Sequence, residues 1–584
     1  MTLRERLTEI TADAFVQSGY DQSFGVVTIS DRPDLCQFQC NGALAAAKQY
    51  RKAPMLIAGE VVEKLKGNAV FSSLEIAAPG FINMRVADAV LSETMREMHQ
   101  DDRLSLQQME PRTIVIDFGG PNVAKPLHVG HLRSAIIGDC LCRLARFLGH
   151  RVIGDIHLGD WGLQMGLIIA EMKRDQPELP YFDPEYSGEY PQAPPVTAEE
   201  LNTLYPSASA RAKTDDTFAA EAAQATVELQ QKRRGYYTLW KHIWNVSVDD
   251  LKKNYALLDV HFDQWLGESD ADAYIPRVLD ILKSRGLLRE SEGAQIVDVE
   301  QPEDTAPMPP MLIVKSNGGD IYGTTDLGTL LQRTQDWRPD EVWYVVDHRQ
   351  ALHFKQVFRC AHLAGIIDEK ACLHIPFGTM NGKDGKPYKT RDGGVMRLSD
   401  MIGTVTGNAY QKLSGIQTQD SEEENQVLAR VIGVAAMKIG DLINHRAKDY
   451  VFDMERFLAS EGKTGPYLQY TAVRIRSLLQ KAGEAGIAQG PILAPLSDTE
   501  RELMLSLTSV SEALQRAFEE KAPNIICETL FSIAGVFNRF YFETRFLDCP
   551  DAEQRASWLS LLDLTVNMLR QLLDILGVSI PERM

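Results

Sequence analysis

Two histidines, His128 and His131, flank Gly130 in the run His128-Val129-Gly130-His131. The run opens a stretch of helical periodicity, so both imidazoles fall on one helical face. An imidazole N–H donates to a phosphoryl oxygen as charge builds there. A helix N-terminus adds free backbone N–H groups and the positive end of the dipole. Gly130 removes a side chain between the rings, which lets a flat group approach the backbone. The chemistry this suits is positioning and electrostatic stabilisation of a phosphate, without a covalent nucleophile. A chance arrangement and a metal pair are the other readings. A metal would want a carboxylate or third ligand close in sequence, and none stands out.

The elements that must hold these residues are legible on either side. Residues 112–120, RTIVIDFGG, are a short apolar run ending in two glycines, which predicts a buried parallel strand. Helical spacing runs from Val129 to Leu148, and RVIGDIHLGDWG after it predicts a second strand. Strand, loop and helix in that order open a nucleotide-binding α/β domain. Upstream, residues 42–66 predict two helices broken at Pro54, and 69–87 two strands around Pro79-Gly80. A polar helical stretch is expected over 91–108, closing a small α+β domain. Residues 174–215, rich in Pro, Ala, Tyr and acids, predict an insertion with little structure, and 218–258 a helical hairpin. α/β texture returns at 295–299, 311–315 and 341–346. From 423 onward helices are expected near 423–447, 465–487, 497–519, 523–547 and 553–577, with a linker at 487–496. No internal repeat or low-complexity tract is visible.

Composition sets the class. The 584 residues are 44% hydrophobic and 24% charged, the balance of a folded globular chain. The net charge of −19 argues against a binder that coats nucleic acid without regard to sequence. It leaves room for local patches: residues 112–170 carry six basic and four acidic side chains. Eight cysteines include no CxxC pair, so a structural zinc site is not expected and buried free thiols are. No run of 18 apolar residues occurs, and charges occupy the N-terminus where a signal peptide needs apolar residues. A cytoplasmic protein with no membrane partner is expected.

The stretch VIDFGGPNVAKPLHVGHLRSAIIGD resembles the signature of class I aminoacyl-tRNA synthetases. GDWGLQMG (159–166), GDIYGTTDLG (319–328), VVDHRQALH (345–353), GKDGKPYKTRDGG (382–394), GKTGPYLQYTAVRIRSLL (462–479) and the terminal ERM narrow the resemblance to the arginyl-tRNA synthetase family. It extends from about residue 20 to the end of the chain. The resemblance implies activation of arginine by ATP with Mg²⁺, then transfer of the arginyl group to the terminal ribose of its tRNA. It implies α/β plus all-α architecture in three parts. These are an N-terminal α+β domain touching the tRNA elbow (1–110), a Rossmann-type parallel-sheet catalytic domain (111–420) with insertions at about 174–258 and 265–310, and a C-terminal helical bundle that binds the anticodon (421–584). A monomer with no metal site of its own is expected.

A guanidinium carries five donors and a fixed charge, so its pocket must supply carboxylates and acceptors. By resemblance Asp117, Asn122, Tyr322, Asp326 and Gln350 line the arginine site. Asp117 departs from the Glu that many relatives carry. Asp326 also reads as an ordinary acid at a helix N-terminus, and Gln350 as a polar loop residue. His128, His131 and Lys125 are the catalytic candidates, with Gly130 beside them on ATP. The second phosphate loop of this class, KMSK, is degenerate here: Lys389-Thr390-Arg391-Asp392-Gly393-Gly394. Lys389 and Arg391 are expected to help Lys125 on the phosphates, with Gly393 near ATP, and activation is expected to require tRNA. Trp161 is either a flat face of the site or plain core. Gln164 is expected to orient the adenylate or the tRNA end. Phe81 and Asn83 resemble a motif that meets the tRNA D-loop, where an aromatic stacks and an amide reads an edge. Tyr467, Tyr470, Arg474, Arg476 and the terminal Met584 are the anticodon candidates, though a helix buried on one side would show the same pattern. A small HxGH nucleotidylyltransferase is the rival enzyme, and a catalytically dead RNA-binding scaffold the rival outside enzymes. The length and helical tail weigh against the first, the intact motif residues against the second.

Overall fold

Strand β1 (Thr113–Phe118) is buried from Ile114 to Phe118, so it needs cover on both faces. It receives that cover in a computed structural model that describes residues 2–584 except 31, 33–34, 104, 106–107, 315–321, 387, 389–395 and 415–420, and except the side chain of Tyr322. β1 is the centre of a five-stranded sheet with β2 (Arg151–Leu158), β3 (Gln264–Gly267), β4 (Glu341–Val345) and β5 (Cys372–His374), in the order β5-β4-β1-β2-β3. All four pairings are parallel. Ile114, Ile116 and Phe118 pack on the side of helix α1 (Val129–Phe147). Val115 packs on the other side with Leu327, Leu330 and Leu331 of α2 (Tyr322–Asp336) and Val357 of α3 (Ala351–Leu363). The registers Asp117–Asp155 and Asp117–Tyr344 set three polar side chains abreast on that second face, at the C-terminal end of the sheet.

The sequence expectations hold where the signal is local and shift where partners are distant. Helices Gly42–Tyr50 and Pro54–Leu65 break at Pro54, and strands Phe71–Ala77 and Phe81–Val86 flank the Pro79-Gly80 turn. These two strands join Val27–Ile29 and Phe38–Cys40 in an antiparallel sheet. The helix expected to 108 is Asp88–Gln100. Asp101 stops it by accepting the backbone N–H groups of Arg103 and Ser105 at 2.9 and 2.7 Å. The insertion is more ordered than its composition predicts. Thr197 and Glu200 form a capping box on Ala198–Ala212, and Arg211 holds Glu171 at 2.9 Å. The hairpin helices Asp216–Gln230 and Arg234–Leu257 follow. The strands Ala294–Val297 and Met311–Val314, where the sequence predicts α/β texture, form a separate antiparallel sheet with Arg289–Ser291, while β3, at the start of the range expected as a second insertion, joins the main sheet.

The C-terminal region is helical: α4 (Glu422–Leu442), α5 (Gly465–Glu484), the pair Asp498–Thr508 and Val510–Glu520 split at Ser509, α6 (Asn524–Glu543) and α7 (Ala552–Ile575). α6 is long and apolar enough to cross a membrane by composition, but Ile526, Leu530, Ile533, Phe537 and Phe540 are fully buried against other helices, as in a core helix. Buried charge ties this region to α1. Arg133 of α1, 1% exposed, pairs with Asp441 of α4 at 3.0 Å and donates to Gly378 O and Lys448 O. Lys438 donates to Gly577 O at 2.8 Å and Asp259 O at 3.2 Å. Burial brings Lys438 down to about 8. The N-terminal region docks on the helices through Arg4–Glu512 (2.6 Å), His99–Asp563 (3.0 Å) and Arg96 on Ile492 O (2.7 Å).

Candidate active site

His128 is the N-cap of α1, and the two rings hold one another's backbone. The ring Nδ1 of His128 accepts the Gly130 N–H at 3.1 Å, and that of His131 accepts the His128 N–H at 3.1 Å. An Nδ1 that accepts leaves the proton on Nε2, so both neutral imidazoles present an Nε2–H donor. Burial lowers both, with repulsion from neighbouring cationic groups adding to it, and His131 falls to about 3. The rings lie 4.0 Å apart between centroids. Gly130 serves this pair in a way the motif did not suggest. A Cβ there would sit 2.8 Å from His128 Cε1, so the glycine makes room for the ring of its own neighbour.

The histidines line a cleft of about 540 Å³ at the C-terminal edge of β1 and β4. Its wall also includes Asp117, His157, Asp326, Tyr344, Asp347, Gln350, Thr379 and Tyr388. Ser134, one turn into α1, fixes the mouth: it accepts the Gly119 N–H at 2.8 Å and donates to Val345 O at 2.7 Å. Gly120 lets the loop cross β2, since a Cβ there would meet His157 O at 2.2 Å.

Carboxylates stand at two places. Asp326 on α2 pairs with His353 on α3, Oδ2 to Nε2 at 2.6 Å. Burial lowers His353, but the hydrogen bond and charge of Asp326 raise it further, and the net direction is up. Glu268 lies near enough to feel Asp326. Burial first, then repulsion from Asp160 and Asp326, pushes its carboxyl up to about 8. At the other place, Asp117 and Asp155 both meet Arg333 of α2, each through Oδ2 at 2.6 Å from the same Nη2. Asp117 is 8% exposed and faces the cleft, whereas Arg333 and Asp155 are wholly buried. Asp117, Asp155 and His157 bring ligand atoms close enough for a metal ion, but the Arg333 guanidinium already stands against both carboxylates.

Asp117, Asp326, Gln350, His128, Gly130 and His131 therefore share one cleft. Asn122 and Lys125 do not. They line a separate crevice with Asn202 and Asp250, and the Lys125 ammonium lies 4.4 Å over the ring of Tyr205 in the insertion helix. Lys389, Arg391 and Gly393 lie outside the described residues, as does the Tyr322 side chain. The segment after that loop is stitched to the histidines, Val129 N–H to Met396 O at 3.1 Å and Leu398 N–H to Leu127 O at 2.9 Å. Trp161 is 4% exposed beside Trp240 and donates to Asp272, which is a core role. Gln164 is buried and donates to Gly159 O at 2.9 Å, bracing the loop. His353, Glu268 and Arg333 are the residues sequence reasoning missed. VVDHRQALH contains His353, but nothing local links it to Asp326.

Two surfaces away from the cleft carry the remaining candidates. Asn83 is 7% exposed and shares a 2.8 Å hydrogen bond with Gln39, beside half-buried Phe81. On α5, the Tyr467 hydroxyl accepts from Asn538 at 2.8 Å, and Asn538 accepts from Arg474 at 3.1 Å. The Arg474 guanidinium lies over three rings, Tyr470, Tyr541 and Phe542, at 4.6, 5.0 and 6.0 Å. Phe542, which the motifs did not reveal, is 79% exposed. Arg476 and Gln469 hold the chain end through Pro581 O and Ser579 O, and Met584 is 40% exposed.

Comparison with known proteins covers the whole chain. Residues 94–454 match the family described as "tRNA synthetases class I (R), catalytic domain", 468–584 the "DALR anticodon binding domain", and 1–86 the "Arginyl tRNA synthetase N terminal domain". The chain is 50% identical to the arginine–tRNA ligase of Alkaliphilus oremlandii, with 100% of each chain covered. It is 48% identical to that of Agathobacter rectalis, with 99% of each covered. Among solved structures it resembles the arginyl-tRNA synthetase of Thermus thermophilus (TM-score 0.80, 22% identity, 100% of both chains). It also resembles that of Plasmodium falciparum (TM-score 0.82, 23% identity, 100% and 99%). These two likenesses are of fold.

Proposed function

The chain belongs to the family of arginyl-tRNA synthetases and is an arginine–tRNA ligase that uses ATP, and from that premise we propose how its residues divide the reaction. Its RNA substrate is tRNA for arginine, met through the DALR anticodon-binding domain. Asp326, held by His353, takes the substrate guanidinium, with Glu268 as a second acid and Gln350 at the rim. Asp117 takes the α-ammonium through the oxygen that Arg333 leaves free. Tyr322, at the start of α2, completes this wall. The substrate carboxylate then faces the histidines. One of its oxygens attacks the α-phosphorus of ATP, pyrophosphate leaves, and the Nε2–H groups of His128 and His131 stabilise the charge that builds on the phosphoryl oxygens. Gly130 lets the nucleotide lie against the helix end. In the second step a hydroxyl of the terminal ribose attacks the arginyl carbonyl and AMP leaves.

Mg²⁺ enters with ATP as part of the substrate. Lys389, Arg391 and Gly393 flank the triphosphate, and Asn122 and Lys125 join the site by a turn of the loop between β1 and α1. Phe81 and Asn83 meet the D-loop, while Tyr467, Tyr470, Arg474 and Met584 meet the anticodon. The enzyme works as a monomer in the cytoplasm, where tRNA and ATP are both at hand. The three parts expected at 1–110, 111–420 and 421–584 are the units of this division.

The observation that carries the reading is the pair of neutral Nε2–H donors at a helix N-terminus, opening on a cleft walled by carboxylates. The test is charging of unfractionated tRNA with each radiolabelled amino acid in turn. Arginine alone is expected to become acid-precipitable. Incorporation of lysine or glutamine at a comparable rate would overturn the assignment of the acids.

A further inference from the structure

Arginine carries two cationic ends, and the cleft has acids at two places besides Asp347, which Arg349 already neutralises at 2.8 Å. An enzyme so built must stop the substrate from binding backwards. Asp117 and Asp155 stand on neighbouring strands at one register, both reaching the same point with Oδ2. Left to themselves, two carboxylates side by side would be a strong trap for a planar guanidinium. Instead, the protein fills that trap with a guanidinium of its own. Arg333 comes down from α2, the helix that also carries Asp326. One helix thus blocks the first acid pair and presents the acid of the second place.

We propose that Arg333 is a positioning residue that keeps the substrate guanidinium off the Asp117–Asp155 pair and so fixes which way round arginine lies. This rests on the division of roles given above. The arithmetic of charge supports it. Burial raises the Asp155 carboxyl while Arg333 opposes that rise, and with both carboxylates ionised the pair and its cation leave one net negative charge, matched to a single ammonium. The packing supports it too. Arg333 Nε and Nη1 are buried without a hydrogen-bond partner among the described residues, as are Asp155 Oδ1, His157 Nδ1 and the Tyr344 hydroxyl around them. A buried ion pair with unpaired donors is a poor way to gain stability, and an apolar side chain would pack that space at less cost. What Arg333 adds is a fixed charge beneath Asp117.

The test uses full-length enzyme with tRNA and ATP, reading pyrophosphate exchange and the binding of methylguanidinium, which has only the guanidinium end. In Arg333→Gln the pair is free to take a second guanidinium. Calorimetry is expected to count two equivalents of methylguanidinium instead of one. The rate constant for exchange should fall at least tenfold, with KM for arginine falling rather than rising, as when a substrate also binds unproductively. Millimolar guanidinium should restore the rate by refilling the trap. The double variant Arg333→Gln/Asp155→Asn restores the single net charge. It is expected to bind one equivalent and to exchange within about threefold of wild type. A purely structural Arg333 gives the opposite pattern: KM for arginine rises, guanidinium does not rescue, and the double variant is worse than the single. Any of these results, or a double variant that does not fold, overturns the proposal. Asp326→Asn separates it from the reading beneath it. If that variant leaves KM for arginine unchanged, the reading fails. If KM rises while Arg333→Gln behaves like wild type, the orientation role alone fails.

Discussion

The proton on Nε2 of His128 and of His131 follows from where each Nδ1 is spent, and it has two measurable consequences. Replacing either histidine by alanine removes one donor aimed at a developing charge, which typically costs about 10²–10³ in rate. Adenylate formation should drop by that factor while arginine binding, followed by calorimetry, holds. The second consequence concerns stability. His131 is depressed from 6.5 to about 3 in the folded chain. Between those values the unfolded chain takes a proton that the folded one refuses, so the stability His131 contributes is present above 6.5 and is lost as pH falls toward about 3. Melting temperature should therefore fall less steeply with acid in His131→Asn than in wild type. Glu268 titrates in the opposite sense. Its carboxyl stands near 8 and, in the role proposed for it as second acid, must ionise to receive a guanidinium. Arginine affinity should rise with pH up to about 8, with protons released on binding. Calorimetry in buffers of different ionisation enthalpy reads this directly, and Glu268→Gln should abolish it. The histidines were legible because they lie three apart on one helix. Arg333 was not, since its partners Asp117 and Asp155 stand 216 and 178 positions away.

Helix α5 shows what an element adds to its residues. The sequence puts Tyr467, Tyr470, Arg474 and Arg476 within ten residues, and on the helix the Arg474 guanidinium lies over the Tyr470 ring. It did not predict that α6 would bring Phe542 alongside, leaving an almost fully exposed ring stacked near the Arg474 guanidinium. Base stacking on an exposed aromatic is worth about 1–3 kcal/mol, roughly 5- to 150-fold in affinity. Phe542→Ala should raise KM for tRNA by a factor in that range and leave KM for arginine and ATP unmoved. Equal effects on all three substrates would make Phe542 a structural residue. The same lesson holds elsewhere. Pro54, Gly80 and the periodicity of α1 act through neighbours in sequence and were readable. The arrest of a helix by Asp101 and the pairing of the short strand β3 depend on loop geometry and on a distant strand edge. Composition misled at Ala198–Ala212, where a capping box and the Glu171–Arg211 pair order a stretch that looked like loose loop.

At the scale of the whole molecule, the catalytic helix is wired to the RNA-binding end. Arg133 of α1 is locked to Asp441 of α4, and α4 reaches the C-terminal turn through Lys438 on Gly577 O. Breaking one partner of a buried pair such as Arg133–Asp441 typically costs about 3–5 kcal/mol, so the pair resists separation of α1 from α4. The segment proposed above to flank the triphosphate reads KTRDGG, without the usual last lysine, and the Lys125 ammonium lies on Tyr205, near enough to help lower both histidines. Positioning supplies most of the rate in a displacement at phosphorus, so a loop without that lysine has less charge to hold the triphosphate in line. Bound tRNA is the component that can finish the site. On the division of roles proposed above, its end enters the cleft and its binding energy completes the ATP site, which is induced fit by the correct partner. Arginine-dependent exchange of pyrophosphate into ATP should therefore need cognate tRNA, falling by at least about a hundredfold in nuclease-treated enzyme. Tyr205→Leu, which releases Lys125, should recover part of that loss without RNA. Full-speed exchange in RNA-free wild-type enzyme would show that Lys125, Lys389 and Arg391 align ATP unaided.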